Sequence, residues 1–353
     1  MISPVKADTV DAFNGLAAIY DRSRPLYPPE CLNVLESRLP FPRGSNTGLD
    51  VGCGTGILTR QLAAHFALFD KIVGIDVNPE MLKQAAIRTT DTRVRYEAIP
   101  AENIGKHPAG PFAFIIAASA ANWFDRPKFY SGASASMIAG GILAFLINRR
   151  RFDSDAFLSE LEDYLETSVP GYARGRYSSA VGEYSETGCF QEELIDAPNF
   201  VDIEEHRVER LISMPNSDAI DYFLSFNDLK RASKMKGQAR VRRDLSDLVS
   251  SHFGESELVQ FPVTTIMTSA RYSCAQDDLG SNIQHDNVKY ASNGNTRYSR
   301  PRLDHSRNRS IQNFDRIQQD TAYLDVGTLH ERMEISMALS TIVNTVHSVL
   351  FAR

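Results

Sequence analysis

The chain predicts an α/β fold: a seven-stranded, mostly parallel sheet with one antiparallel strand, helices on both faces, and a C-terminal extension. Three observations carry this expectation. Short apolar runs alternate with helix-length amphipathic stretches over the first 150 residues, the pattern of parallel strands joined by helical crossovers. A glycine-rich turn, Gly52-Cys53-Gly54-Thr55-Gly56, links the first apolar run to the helix-compatible stretch behind it. Two further segments, 201–211 and 258–271, are placed as the last two strands, pairing antiparallel to complete the sheet.

The elements follow in order. An amphipathic helix is expected over 30–39, strand one over 47–51, and strand two over 72–76. The helix after strand two starts near Pro79 and carries Met81, Leu82 and Ala85 on one face. Strands three, four and five are expected over 94–99, 112–118 and 141–147. Residues 152–257 read as a helix over 154–168, a Gly/Tyr/Ser-rich loop over 170–188 and two further helices. The main domain is expected over 1–273, with a cover helix within 10–30 and a substrate-side insertion over about 150–235. A Ser/Asn/Arg-rich linker or disordered segment (274–327) follows, without helical or strand period. Residues 328–353 read as an amphipathic helix with Ile335, Leu339, Ile342, Val346 and Val349 at helical spacing, suited to self-docking or a dimer contact.

The glycine turn carries the chemistry. Glycine bends sharply and brings backbone amides against a ligand, and the helix behind it points its positive end the same way. The dinucleotide fingerprint is G-x-G-x-x-G, whereas this spacing is G-x-G-x-G with Ile57 where the last glycine would fall. Asp50 precedes the glycines by two positions. A pyrophosphate gains nothing from a carboxylate there, but the ammonium of S-adenosylmethionine (SAM) does. Asp76 ends strand two, where a carboxylate can accept both ribose hydroxyls; it could equally serve the start of the following helix.

Residues 49–56, Gly74-Ile75-Asp76-Val77-Asn78 and Ala121-Asn122-Trp123-Phe124-Asp125 together resemble the class I SAM-dependent methyltransferases. The segment Tyr20-Asp21-Arg22-Ser23-Arg24-Pro25-Leu26-Tyr27-Pro28 is similar to the N-terminal stretch of the trans-aconitate methyltransferase-like subgroup, within the type 11 methyltransferases. The resemblance covers roughly residues 10–273 and implies a Rossmann-like fold with SAM as cofactor. By it, Gly52, Cys53, Gly54 and Gly56 form the cofactor turn, and Tyr20 and Arg24 lie on the cover over the pocket as further cofactor-binding residues, with a substrate acid or a surface ion pair as other roles open to Arg24. Val77, Met81, Ile99, Ala101 and Glu102 frame the adenine, while Ala117, Ala118 and Ser119 run along the methionine and sugar. Trp123 falls beside the methyl donor, next to Asn122. Relatives often place a histidine where this chain has Asn122. Asparagine can orient a nucleophile but cannot take its proton at neutral pH, so proximity is the expected means of catalysis. His206, His252 and Glu183 are other residues able to accept a proton, and nothing in the sequence selects among them.

The expected activity is methyl transfer to an oxygen, nitrogen or carbon of a small organic acceptor. Two other readings stand beside it: an RNA methyltransferase using the basic segment 230–243, and a non-catalytic SAM-fold interaction protein. A formal net charge of −6 speaks against general nucleic-acid binding. The four cysteines are too scattered for a metal site or disulfide framework, so no metal is expected. No apolar run is long enough to cross a bilayer, and a cytoplasmic protein is the expectation.

Overall fold

In the computed structural model the first strand, β1 (Thr47–Val51), lies at the centre of the sheet. The other strands are β2 (Lys71–Asp76), β3 (Val94–Ala98), β4 (Phe112–Ala118), β5 (Met137–Arg150), β8 (Phe200–Pro215) and β9 (Leu258–Tyr272), in the order β3-β2-β1-β4-β5-β9-β8. Pairing is parallel from β3 through to β5, while β9 runs antiparallel to both β5 and β8. The structure describes residues 15–274 apart from 16, 41–43, 175, 180–181, 186–189, 198 and 255, all within the unit Met1–Ile283. The expected linker beyond Cys274 and the helix at 328–353 lie outside the described residues.

Strand sequences explain the two-sided core. In β5, Leu143 and Phe145 pack with Leu49, Val51 and Ile115 on one face. Ile142, Ala144 and Leu146 pack with Phe114, Ile116 and Ile72 on the other. Strands covered on both faces have no polar alternation to show, which is why they read as continuous apolar runs. Helix α1 (Ala17–Ser23) precedes two helices on the second face, α2 (Pro29–Arg38) and α3 (Ile57–His65), which contribute Cys31, Leu32, Leu35, Leu58 and Leu62. The first face is covered by α5 (Arg126–Ser136) and α7 (Phe190–Asp196), through Phe129, Ala133, Phe190 and Leu194; α4 (Pro79–Arg88) follows β2.

A separate apolar cluster builds the second lobe. The outer ends of β8 and β9, with Ile212, Met214, Val259 and Phe261, pack against α6 (Ala156–Ser168), α8 (Asn216–Leu224), α9 (Asn227–Lys236) and α10 (Gln238–Phe253). Three expectations need correcting here. Strand five spans 137–150 instead of 141–147, because its far end pairs with β9 out to Arg150 opposite Val263. The expected loop at 170–188 contains a hairpin, β6 (Arg176–Ser179) with β7 (Gly182–Ser185), held by antiparallel backbone pairing that side-chain patterning does not reveal. The described residues after α6 contain four helices rather than two, the run 216–253 being divided by sharp turns at Ser225 and Gly237.

Candidate functional site: a glycine loop beside an aromatic and cationic cavity

The carboxyl ends of β1 and β2 meet in one turn. Gly52, Gly54 and Gly56 all have positive φ, at 69°, 54° and 77°. Two of them are fixed by close neighbours: a Cβ on Gly52 would lie 2.5 Å from Ala120 Cβ, and one on Gly56 would lie 2.2 Å from the Tyr96 hydroxyl. Gly54 differs, since a Cβ there would meet nothing within 4 Å. The loop therefore packs tightly at both ends and faces open space in the middle. Cys53 is buried and donates its amide to Ile75 O at 2.9 Å, and burial pushes its thiol well up, so it is a packing residue.

Asp50 is buried under this loop. Its Oδ2 accepts a 2.6 Å hydrogen bond from the Thr59 hydroxyl, while Oδ1 has no partner. Burial pushes its carboxyl up to about 7, opposed by the Thr59 hydrogen bond and reinforced by the charge of Asp76. An unpaired buried carboxylate oxygen is costly unless a donor arrives. Asp76 is differently placed. Its Oδ2 accepts from Gly54 N at 2.9 Å and its Oδ1 from Asn78 N at 2.8 Å, leaving one further lone pair on each oxygen. Asn78, not Asp76, caps α4 through bonds from the amides of Glu80 and Met81. Burial also raises the Asp76 carboxyl above its ordinary value.

The remaining cofactor-side residues form two groups. Met81 and Ala101 are buried and Val77 is half-buried, on the segments that follow β2 and β3. Glu102 opens a short 3-10 helix (Ala101–Lys106), and its Oε1 accepts from Asp125 N at 2.8 Å, tying the β3 end to the β4 end. Ala118 ends β4, and Ser119 follows in a left-handed turn with φ 52°. Tyr27 donates to the Ser119 hydroxyl at 3.3 Å, and its amide donates to Gln61.

A cavity of about 160 Å³ opens beyond β4 and β5. Its walls include Tyr20 and Arg24 from the cover, Ser119–Trp123 after β4, Asn148–Arg150 at the end of β5, Phe190, Tyr222, and Ser225–Asp228. It adjoins the glycine loop, because Ala120 both lines the cavity and closes the space above Gly52. Asn122 and Trp123 lie in the 3-10 turn Ala121–Trp123, both half-buried on this wall. The Arg24 guanidinium lies 4.6, 5.2 and 4.5 Å from the rings of Tyr20, Tyr222 and Phe226, and its Nε donates to the Ser225 hydroxyl at 3.0 Å.

Residues 49–141, which hold the loop, Asp76 and the Trp123 segment, match the sequence family described as a methyltransferase domain. This segment is a class I methyltransferase domain. Over 283 residues the chain is 26% identical to a methyltransferase-family protein of Dictyostelium discoideum, covering 76% of this chain and 99% of the relative. It is 29% identical to a ubiquinone biosynthesis O-methyltransferase of Bordetella avium, covering 48% of this chain and 71% of that one. A solved methyltransferase-type structure from Anaeromyxobacter dehalogenans shares the fold at a TM-score of 0.52 and 21% identity, over 71% of this chain and 97% of the other. The enzyme class is therefore a SAM-dependent methyltransferase. The domain's own geometry fits that cofactor: an orphan carboxylate oxygen on Asp50 suits an ammonium, and the open side of Gly54 leaves room against backbone.

Of the residues read from sequence, the methyltransferase fold brings Asp50, Gly52, Cys53, Gly54, Gly56 and Asp76 into one turn, and Tyr20, Arg24, Asn122 and Trp123 onto one cavity. Neither His206 nor His252 lines that cavity; His252 bonds Glu160 at 2.7 Å on the outer lobe. The side chain of Glu183 lies outside the described residues. Sequence reasoning missed Arg149, Arg150, Phe190, Tyr222 and Phe226. Only the Arg149-Arg150-Arg151 run gave a signal, as charge at the carboxyl end of a parallel strand. Much of the basic segment is engaged locally: Arg231 with Asp228, Arg240 with Asp244, Arg242 with Asp221, and Lys236 with Ser168 and the Tyr164 ring. Among the described residues no helix is long and apolar enough to cross a membrane.

Proposed function

We propose that the chain methylates a small organic acceptor held in the cavity between the cover, the β4 and β5 ends and α8–α9. The observation that carries this reading is the unpartnered Asp50 Oδ1 under an open glycine, one residue contact away from a cavity lined by aromatic side chains. When bound, SAM would supply an electrophilic methyl on a sulfonium, open to in-line attack by an oxygen, nitrogen or carbon nucleophile as the C–S bond breaks and the thioether of S-adenosylhomocysteine leaves.

The chain's residues bind, orient and exclude water. Asp50 takes the cofactor ammonium and Asp76 the ribose hydroxyls through its free lone pairs. Val77, Met81, Ala101 and Glu102 frame the adenine, with Ala118 and the glycine backbone along the rest of the cofactor. Tyr20 and Arg24 close the pocket from the cover. Trp123 offers an aromatic face to cationic surroundings, and the Asn122 amide orients the nucleophile without taking its proton. The likeness to a relative named as an O-methyltransferase supports an oxygen acceptor.

Calorimetric titration with SAM followed by a screen of metabolite extracts with radiolabelled SAM tests the reading. Saturable binding and label in a low-molecular-weight product are expected. Binding without transfer to any metabolite fraction, with label appearing in added RNA, would replace it by the RNA reading.

A further inference from the structure

The cavity has a cationic wall that methyl transfer by itself does not require. Arg24, Arg149 and Arg150 all line it, and they are neutralised unequally. Arg150 pairs with the buried Glu162 at 2.9 Å. Asp228, the one carboxylate among the described lining residues, stands 3.3 Å from Arg231. Arg24 has aromatic rings and the Ser225 hydroxyl around it but no carboxylate at ion-pair distance among the described residues. Arg149 has still less: it is half-buried, its side chain makes no ion pair or hydrogen bond among the described residues, and its Nε is sealed from water without a partner.

Holding guanidinium groups in a part-buried pocket without counter-charge is unfavourable unless a ligand provides it. The surplus is felt nearby, where burial and then the charge of Arg24 push the Lys230 ammonium down to about 8. A guanidinium's planar fork matches a carboxylate or phosphate in a paired hydrogen bond. We infer that the acceptor carries an anionic group, carboxylate or phosphate, which Arg149 grips at the end of β5, with Arg24 lining the same cavity. The anchoring group and the reacting atom then sit at neighbouring strand ends, Arg149 after β5 and Asn122-Trp123 after β4. This inference rests on the proposed function and adds Arg149 as a specificity-determining residue.

Trp123 is the chain's single tryptophan and lines the cavity, so its fluorescence reports occupancy there. The full chain, saturated with S-adenosylhomocysteine, is titrated with benzoate, phenyl phosphate and benzamide, which share a ring and differ in charge. At least one anion is expected to shift Trp123 emission saturably, at concentrations tenfold or more below those benzamide needs; the better of the two identifies the anchoring group. Arg149→Met should abolish that preference and Arg149→Lys retain part of it, both keeping SAM affinity within about twofold. Equal binding of benzamide, no response to either anion, or a preference that survives in Arg149→Met would overturn the inference. Methyl transfer found only in neutral or cationic metabolite fractions would also overturn it, while leaving the methyltransferase reading intact.

Discussion

The two halves of the cleft are wired at very different chain separations. Around the glycine loop the polar contacts are short: Asp76 to Asn78, Asp50 to Thr59 nine residues on, Gly54 to Asp76 22 residues on. The contacts that join the cover to the outer lobe beside the acceptor cavity are long: Arg24 reaches Ser225 across 201 residues, and Arg22 reaches Asp221 across 199. A half assembled from neighbouring residues is rigid and self-contained. A half assembled from the cover and the outer lobe depends on how those pieces dock, and so can be re-lined without disturbing the loop.

If that contrast is right, the largest effect of a single small substitution should fall on the loop. Gly56→Ala places a Cβ 2.2 Å from the Tyr96 hydroxyl at a φ of 77°. Left-handed strain and overpacking together should cost about 2–5 kcal/mol, read by urea unfolding. A loss below about 1 kcal/mol would show the loop to be more pliant than its packing implies.

Next comes cofactor affinity. Asp50→Ala and Asp76→Ala should each weaken SAM binding by about 1–3 kcal/mol in calorimetry, through lost charge-assisted hydrogen bonds. The two should part on stability. Asp50→Asn removes a carboxylate that burial disfavours and should leave the cofactor-free protein at least as stable. Asp76→Ala strands the amides of Gly54 and Asn78 and should lower the melting temperature. Parental affinity in both Ala variants would remove the loop from the cofactor side altogether.

Asp50 also sharpens the comparison through pH. With its folded carboxyl near 7 against an ordinary 3.8, the folded chain keeps a proton that the unfolded chain releases between those values. Its contribution to stability is therefore full below the lower value and lost as pH rises through the upper one. Ammonium binding needs the ionised form, so SAM affinity should rise by up to about tenfold per pH unit below 7 and then level. A flat profile between pH 5.5 and 7.5 (roughly two units about the titration) would contradict it. Asp50→Asn should lose the dependence.

The smallest effect belongs to the cover. Arg22 is 59% exposed in its pair with Asp221, which Arg242 also contacts. Arg22→Ala should change stability by no more than about 0.5–1 kcal/mol and leave SAM affinity unchanged, by calorimetry and thermal melting. A large loss would mean that cover and loop are coupled after all.

The sequence by itself determined the sheet interior, the glycine turn and the two acids that flank it. Those features depend on short-range rules: apolar runs for strands covered on both faces, glycine where φ turns positive, Asn78-Pro79 at a helix start. It did not reveal the hairpin at 176–185, the full reach of β5, or the division of 216–253 into three helices, because backbone pairing and docking against β8 and β9 set those. Only the tertiary structure decided that Arg149, Phe190 and Tyr222 line one cavity with Tyr20 and Trp123. Chain separation is the reason: residues this far apart carry no mutual pattern until folding makes them neighbours.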